Sequence, residues 1–400
     1  MTRKGHRRCA KAIGRRHGAK AIGHRHSVKA IGYRHCAMAI VVGTMAGTTL
    51  GLGTPDAPPP RGPFPRPPVS LPPQSPPAAP PPAALGVFLS SDWRGPQHLP
   101  GFESWLRNEV TVGRTYLPGD RWDAIAGAAF VLEPWTRWRA ARPGRVLALN
   151  VPMVAPNEAG LPDSVVARRL GEGARGEHDH HFRRLAWKLV SSGAGDTIIV
   201  LGWEMNGTTY SSRCAPDPQA WKIYWRRIVA AMRSAPGQRF RFDFAPSRGR
   251  DAIPWTECYP GDDVVDIIGM DSYDQGPGRE FSDYVEQPYG LRAQADFAAR
   301  HGKPLSFPEW GLFRRGDRSA YVRRMLDWIG SHNVAYHSIS DYCPHGVWQC
   351  RANPRSSKVF RERLRAAPTP APAPTPAPAP VPSASSVCAA SSSSDLSTSK

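Results

Sequence analysis

Short apolar runs alternate with amphipathic stretches over residues 85–364, and no other feature of the sequence restricts the fold as much. Eight runs are typical of buried parallel strands because they are short and rich in apolar and β-branched residues. They cover residues 85–90, 110–116, 145–153, 197–202, 240–245, 264–270, 304–307 and 334–339. Helical spacing is found between most of them, at residues 102–107, 121–138, 179–191, 218–233, 291–300, 319–329 and 356–364. The alternation predicts an α/β fold, the (β/α)8 TIM barrel.

A doubly wound open sheet is the main alternative to the barrel. Such a sheet normally carries a glycine-rich phosphate loop after its first strand, and Gly86 alone does not form one. We therefore favour the barrel.

Composition divides the chain into four parts. Residues 55–83 are rich in Pro and Ala, and residues 367–400 repeat Pro-Ala and Pro-Thr before a Ser-rich end. Neither segment has the apolar content of a packed core, so we interpret them as a linker and a disordered tail. Residues 84–366 then form one catalytic domain of barrel size, preceded by a leader at residues 1–54.

The leader is strongly basic and then apolar. Its first 35 residues hold eleven Lys and Arg and no acid, and Lys-Ala-Ile-Gly recurs from Lys11, Lys20 and Lys29. A basic region, an apolar stretch at residues 37–52 and a Pro-rich stalk form the order of an exported protein, so we expect a signal peptide and a secreted or cell-surface protein. An uncleaved membrane anchor, a nucleic-acid-binding arm and an artefact of an upstream start codon are the alternatives.

Charge and cysteine content agree with export. Residues 84–366 hold 38 of the 52 Lys and Arg and 31 of the 33 Asp and Glu, a net charge of +7 that is too small for a nucleic-acid footprint. Their cysteines number four, which allows two disulfides outside the cytosol, and no CxxC spacing favours zinc. Cys343–Cys350 would close a local loop and leave Cys214–Cys258. The other cysteines, Cys9, Cys36 and Cys388, lie in the leader and the tail.

Two glutamates follow predicted strands directly, and each has a tryptophan beside it. Glu204 follows the run at residues 197–202, and Glu309 follows the run at residues 304–307. The carboxyl ends of barrel strands surround the active site, and glycoside hydrolysis requires two carboxyl groups there. The competing interpretation is that each glutamate caps a loop or pairs with an arginine. A pair in matching positions favours the hydrolase.

The segments around both glutamates resemble glycoside hydrolase family 26, in particular the actinobacterial β-mannanases of that family. The likeness is carried by Leu201-Gly-Trp-Glu-Met-Asn-Gly207, by residues 259–273 and by Gly302-Lys-Pro-Leu-Ser-Phe-Pro-Glu-Trp-Gly311, and weaker similarity spans residues 84–366. The resemblance implies a retaining double displacement with Glu204 as acid/base and Glu309 as nucleophile. It also implies a hydrogen bond from Tyr273 to Glu309.

The sequence departs from that family at one position. Characterised β-mannanases of the family usually place His before the acid/base, where this chain has Trp203. Indole can stack or donate one N–H, whereas imidazole can also orient a carboxylate. The departure bears on the polysaccharide that is bound, for which mannan is our first expectation. It also motivates the alternative of a catalytically weak or inactive cell-wall carbohydrate-binding protein on the same barrel.

Further residues at strand ends are candidates for substrate binding. Aromatic rings suit the apolar faces of sugars, although each ring could equally be packed in the core. The candidates are Trp93, Trp203, Asn206, Asp271, Tyr273, Trp310 and Trp348. Asn206 could equally cap a turn, and Asp271 could pair with Arg248.

Partners and cofactors follow from the chemistry. The run His178-Asp-His-His181 opens a predicted helix at the opposite end of the barrel, so we interpret it as a helix cap and not as a metal site. Two carboxyl groups and water complete a glycoside hydrolysis, so no cofactor and no metal is expected. We expect a polysaccharide substrate, no nucleic-acid partner, a monomer, and a membrane contact only if the leader is retained.

Overall fold

A computed structural model describes residues 81–366, the part of the chain predicted to form the barrel. The leader at residues 1–54, most of the linker, the tail at residues 367–400 and Cys9, Cys36 and Cys388 lie outside the described residues. The predictions made for them are therefore not tested here. Between residues 81 and 366, no helix is long and apolar enough to cross a membrane.

Eight parallel strands close into a barrel, which confirms the predicted fold class. Strand β1 (Ala84–Phe88) pairs with both β2 (Val112–Tyr116) and β9 (Val334–Ser340), and closure is completed where β6 (Ile267–Gly269) pairs with β8 (Leu305–Gly311). The remaining barrel strands are β3 (Val146–Val151), β4 (Ile198–Leu201) and β5 (Arg241–Phe244). A ninth strand, β7 (Ser272–Tyr273), continues the path of β6 and pairs with the end of β8.

Helices form the outer layer because their apolar residues recur at helical spacing and face the strands. They are α1 (Arg94–Leu106), α2 (Trp122–Ile125), α3 (Ala129–Ala140), α4 (Asp163–Ala174), α5 (Asp179–Ser191), α6 (Pro218–Arg233), α7 (Phe281–Glu286), α8 (Leu291–Arg300), α9 (Ser319–Ser331) and α10 (Pro354–Leu364), with a 3-10 turn at Trp255–Cys258. Helix α6 shows the arrangement clearly, since it buries Trp221, Tyr224, Trp225 and Ile228.

The helix boundaries correct the sequence prediction in four places. Helices α4 and α7 were not predicted, and α1 begins well before residue 102. The predicted stretch 121–138 is two helices because Gly127, with φ +98°, interrupts it, whereas Pro134 lies inside α3 without ending it. A backbone with φ in that range suits glycine and cannot continue a helix.

Side chains alternate between the barrel interior and the helical layer along each strand. Val112, Ala148, Ile198, Ile267 and Tyr336 form one apolar layer of the interior. Polar side chains lie two residues further along several of these strands, towards the carboxyl end. This change from apolar to polar interior marks the end of the barrel at which a site is expected.

Both predicted disulfides are present. Cys214 is bonded to Cys258 and joins the loop after β4 to the 3-10 turn that follows β5. Cys343 is bonded to Cys350 within the loop after β9. Both bonds therefore brace loops at the carboxyl ends of the strands.

Candidate active site

Glu309 lies within β8, where the strand is irregular. Phe307 pairs with His337 and Trp310 with Ile339, so three steps on β8 oppose two on β9 and one extra residue is accommodated at Pro308-Glu309. Proline has no N–H for the ladder, and a bulge re-aims the side chain that it carries. The Glu309 carboxylate consequently points into the barrel and is only 7 % exposed.

Two donors hold the Glu309 carboxylate. The Nη2 atom of Arg114 donates to Oε1 at 2.7 Å, and the Tyr273 hydroxyl donates to Oε2 at 2.8 Å. The second contact is the hydrogen bond that the resemblance implied. Ser340 lies 2.7 Å from the Tyr273 hydroxyl and fixes it further. Each carboxylate oxygen therefore has one strong partner and keeps lone pairs for a further contact.

Arg114 is the main functional residue that the sequence reasoning missed. It is fully buried, donates to Asn150 Oδ1 at 3.0 Å and lies 4.4 Å from the centre of the Tyr116 ring. A buried guanidinium without a carboxylate partner would be costly, so Arg114 and Glu309 depend on each other. The signal was present in the sequence, because an arginine occurs inside a predicted buried strand, two residues after Val112 and therefore on the same face of that strand.

Glu204 follows β4 in an unusual backbone conformation. Its φ is +51°, which non-glycine residues rarely adopt, and its N–H donates to the carbonyl oxygen of Ala245 at 2.8 Å. Such strain is concentrated at functional sites. Burial, followed by the charge of Glu309, raises the pKa of Glu204 to about 8. At neutral pH this carboxyl group is therefore mainly protonated.

Asp271 adds a third carboxyl group to the same space. It is 3 % exposed and neither of its oxygens has a hydrogen-bond partner among the described residues. Burial raises its pKa well above the ordinary value, and the charges of Glu309 and Glu204 raise it further. The expected pairing with Arg248 is absent, because the Arg248 guanidinium donates instead to the carbonyl oxygens of Tyr273 and Gln275.

Aromatic side chains form one wall beside Glu204. The Trp203 ring lies 5.5 Å from Tyr116 and 5.0 Å from Tyr210, and its side chain is largely buried. Tyr342, which was not singled out from the sequence, is 37 % exposed and lies near enough to both glutamates for their charges to affect its pKa. Trp93 is 58 % exposed after β1, and Trp348 packs against Phe102.

Two of the predicted substrate-binding residues are wrong. Trp310 follows Glu309 in the same strand, so its ring points outwards, where it is fully buried and packs against Tyr321 and Phe360. Asn206 is also fully buried, and its amide binds backbone groups of Ser247 and Gly249. Neither side chain is accessible to a sugar.

The histidine run belongs to packing at α5. His178 and His181 stack on Trp122, with ring centres 4.1 Å and 4.9 Å away. Burial lowers the pKa of His181 to about 4, so both rings act as uncharged packing groups near neutral pH. Within residues 81–366 no group of His, Cys, Asp or Glu side chains has the arrangement of a metal site.

The site contains two different glutamates. Glu309 is held by an arginine and a tyrosine, and Glu204 has a raised pKa that favours its protonated form. A glycosidase requires two carboxyl groups in such different surroundings, because one must act as an acid and the other as a nucleophile or stabiliser. The pair lies at the carboxyl end of a parallel barrel, bordered by aromatic rings.

Comparison with known proteins agrees with this chemistry. The model of glycosyl hydrolase family 26 matches residues 201–298, which include Glu204, Asp271 and Tyr273 and confirm the resemblance. No curated protein sequence matches the chain.

Solved structures with the same fold include several mannanases. Bacillus subtilis mannanase BCman is 15 % identical over 70 % of this chain and 84 % of its own, with a TM-score of 0.51. A β-mannanase from a symbiotic protist of the termite Reticulitermes speratus, complexed with gluco-manno-oligosaccharide, is 12 % identical over 71 % of this chain and 87 % of its own, with a TM-score of 0.52. The Cellulomonas fimi endo-β-1,4-mannanase double mutant is 18 % identical over 64 % of this chain and 63 % of its own, with a TM-score of 0.50. At these identities the likeness shows the fold.

Proposed function

We propose that this chain, which matches glycosyl hydrolase family 26 in sequence and solved mannanases in fold, is a retaining hydrolase that cleaves internal β-linkages of a polysaccharide. The first candidate substrate is β-1,4-mannan. One observation carries the proposal: Glu204 and Glu309 face the same space in different surroundings, Glu309 held by Arg114 and Tyr273 and Glu204 buried with a raised pKa. The double displacement follows from that difference.

Glu309 is the nucleophile. Arg114 and Tyr273 fix the direction of its carboxylate, and the buried guanidinium favours the charged form that must attack the anomeric carbon. As the ester to the sugar forms, the carboxylate loses its charge. Both donors then remain beside the ester oxygens. When water cleaves the ester in the second step, the carboxylate that forms again already has its two hydrogen-bond donors in place.

Glu204 is the general acid and then the general base. With a pKa of about 8 it holds a proton at neutral pH and can donate that proton to the leaving oxygen. The charge of Glu309 contributes to this raised pKa, and that charge disappears in the glycosyl-enzyme. The pKa of Glu204 therefore falls in the intermediate, which suits removal of a proton from the attacking water.

Retention is proposed from the match to glycosyl hydrolase family 26. Retaining enzymes place the carboxyl groups about 5–5.5 Å apart, and inverting enzymes need a wider gap for water. The charge of Glu309 is the largest influence on the Glu204 pKa after burial, so the two carboxyl groups lie within electrostatic range of each other, and the anomer of the first product decides between the two mechanisms.

The aromatic wall and the leader support the substrate class and the location. Trp203, Tyr116 and Tyr210 offer apolar surface beside Glu204, and the mannanases of similar fold make mannan the first polymer to test. The two disulfides and the order of the leader support action outside the cytosol.

Product analysis on a panel of polysaccharides tests the proposal. The panel contains β-mannan, glucomannan, β-1,3-xylan, mixed-linkage β-glucan and arabinogalactan, treated with wild type, Glu204→Gln and Glu309→Gln. We expect oligosaccharides from one polymer with wild type and none with either variant, and NMR of early products gives the β-anomer. The control Glu133→Gln, on the exposed face of α3, keeps full activity.

Two results would contradict the proposal. Full hydrolysis by Glu309→Gln would remove the nucleophile from the scheme, and an α-anomer as first product would replace retention by inversion. Binding of one polymer without any product from wild type would favour the alternative of a carbohydrate-binding protein, with Trp203 as the first residue to examine.

A further inference from the structure

A cleft opens between the loops that follow β7 and β8, at the carboxyl end of the barrel. It has a volume of about 390 Å³ and is lined by Arg279, Glu280, Arg315 and Arg318. Three guanidinium groups against one carboxylate make it strongly positive. Neither the hydrolysis nor the packing of the barrel explains this concentration of arginines.

The two loops connect this cleft directly to the catalytic residues. Arg279 lies six residues after Tyr273, and Arg315 lies six residues after Glu309, so both loops leave the same end of the barrel. Arg248 anchors the first of these loops, because its Nη2 atom donates to the carbonyl oxygens of Tyr273 and Gln275 at 3.0 Å each. The cleft therefore lies at the same end of the barrel as the candidate catalytic residues, on loops that continue from β7 and β8.

Two of the arginines are held in position by buried groups. Arg315 Nη1 donates to the Tyr284 hydroxyl at 3.0 Å, and Arg318 Nη1 donates to Asp274 Oδ1 at 3.1 Å. Tyr284 and Asp274 are fully buried and hydrogen-bonded to each other at 2.8 Å. The guanidinium groups are thus ordered before a ligand arrives, which lowers the entropic cost of binding.

The nearby carboxylates form no direct ion pair with two of the arginines. Glu280 pairs with Arg318 at 3.5 Å, and Asp283 accepts the backbone N–H groups of residues 279 and 280. Asp317 accepts the N–H groups at the start of α10. Within residues 81–366 the guanidinium groups of Arg279 and Arg315 have no carboxylate within ion-pair distance, so two positive charges are available in the cleft.

We propose that this cleft binds an oxyanion carried by the polysaccharide, a carboxylate or a phosphate, so that the enzyme acts preferentially on an acidic polymer. Paired N–H groups of a guanidinium match both kinds of oxyanion, and the resulting hydrogen bonds are charge-assisted. The preference during catalysis rests on the proposed function, whereas binding of the anion to Arg279 and Arg315 does not.

Calorimetry on the full chain carrying Glu309→Gln tests the preference. Three ligands share one backbone: β-1,4-mannohexaose, the same oligosaccharide with one primary hydroxyl oxidised to a carboxylate, and the same oligosaccharide with one primary hydroxyl phosphorylated. We expect one of the acidic ligands to bind at least about tenfold more tightly than the neutral one at low salt, and the identity of that ligand shows which oxyanion is bound.

Arginine variants connect the preference to the cleft. Arg279→Gln and Arg315→Gln bring the affinity for the acidic ligand down to that for the neutral one. The matched control Arg184→Gln, which removes the same charge from the exposed face of α5, keeps the preference. Equal binding of all three ligands, or loss of the preference in Arg184→Gln, would overturn the inference.

A probe without the mannan backbone separates this inference from the proposed function. Methyl β-D-glucuronide, but not methyl β-D-glucoside, is expected to shift the NMR signals of the Arg279 and Arg315 Nε–H groups. The shift would uphold the cleft even if wild type cleaved no polymer in the panel. Hydrolysis of neutral mannan with no shift and no preference would refute the cleft and leave the hydrolase intact.

Discussion

The surroundings of Glu309 and Glu204 differ although both side chains face the same candidate active site. Glu309 lies in a strand and accepts hydrogen bonds from Arg114 and Tyr273. Glu204 lies in a loop beside Trp203, and burial raises its pKa to about 8. One environment stabilises a charge through fixed donors, and the other withholds solvent so that a proton remains bound.

This difference teaches how one residue type can perform two tasks. Charge-assisted donors and desolvation act in opposite directions on a carboxyl group. The barrel supplies the first through Arg114 of β2 and Tyr273 of β7, and the second through a loop that packs aromatic rings. Mutations that remove either environment should therefore give different kinetic results.

The largest expected difference concerns the leaving group. Glu309→Ala loses at least about 10³-fold in kcat/KM on every substrate, because no covalent intermediate can form. Glu204→Ala loses a similar factor on polymer, but on a dinitrophenyl glycoside its kcat/KM stays within about tenfold of wild type, because that leaving group needs no proton. Steady-state kinetics of both variants on both substrates measure the contrast.

A variant pair with the opposite pattern would reverse the roles of the two glutamates. If Glu204→Ala also lost the dinitrophenyl substrate and Glu309→Ala kept it, Glu204 would be the nucleophile. The geometry around Arg114 would then need another explanation.

The donors to Glu309 give the next effect in size. Arg114→Met removes the buried ion pair and lowers kcat by about 10²-fold or more, whereas Tyr273→Phe removes one hydrogen bond and lowers kcat by about tenfold. Both changes leave KM on polymer nearly constant, because neither side chain is proposed to contact distant sugars.

Thermal unfolding of the same two variants provides the control. A loss of kcat in Arg114→Met with an unfolding temperature close to that of wild type shows a catalytic effect. If Tyr273→Phe were fully active, the hydroxyl would serve only to pack against Ser340, and the Glu309 environment would rest on Arg114 alone.

The dependence of activity on pH is a subtler measure of the Glu204 environment. The pKa of about 8 means that the acid is protonated below this pH and ionised above it, so kcat/KM falls as pH rises through about 8. In Glu309→Gln the neighbouring charge is absent, and the pKa of Glu204 is expected to be lower. A carbon-13 NMR titration of the carboxyl group tests this, and an unchanged pKa would mean that burial alone sets it.

The sequence predicted the strands well, and with them the position of both glutamates at the carboxyl end of the barrel. Each strand is a short apolar run, and hydrophobic periodicity reports such runs directly. Three predicted helices, at residues 179–191, 218–233 and 291–300, have the observed bounds. Helix α4 was missed because its residues contain two glycines near the end and few apolar positions.

The error at Trp310 arises from one boundary. The strand at residues 304–307 was predicted to stop before Pro308, but β8 continues to Gly311. Within a strand, neighbouring side chains point to opposite faces, so Trp310 faces the helices when Glu309 faces the interior. The same alternation would have placed Arg114 inside the barrel. The partnership of Arg114 with Glu309 spans 195 residues and depends on barrel closure, which local pattern does not reveal.

Removal of the two disulfides gives the smallest expected effect on activity. Each disulfide lies on the side of a different glutamate, so the two removals test the two surroundings one at a time. Cys214–Cys258 closes 44 residues on the Glu204 side, where the Cys214 N–H donates to Met205. Cys343–Cys350 closes 7 residues in the loop that holds His345 against Tyr273, on the Glu309 side. Loop-closure entropy predicts that replacing both cysteines by serine lowers the free energy of unfolding by about 4 kcal/mol for the first pair and about 2 kcal/mol for the second.

Denaturant unfolding and pH profiles of the two double variants measure these effects together. Loosening the loop beside Glu204 admits water, so the alkaline limit of kcat/KM moves to lower pH in Cys214→Ser/Cys258→Ser, because reduced desolvation lowers the pKa of the acid. The same limit stays in place in Cys343→Ser/Cys350→Ser, whose loop borders the other carboxylate. Equal shifts in both variants would mean that the two environments are not independent, and the contrast between a solvent-excluded acid and a hydrogen-bonded nucleophile would have to be replaced by one shared pocket.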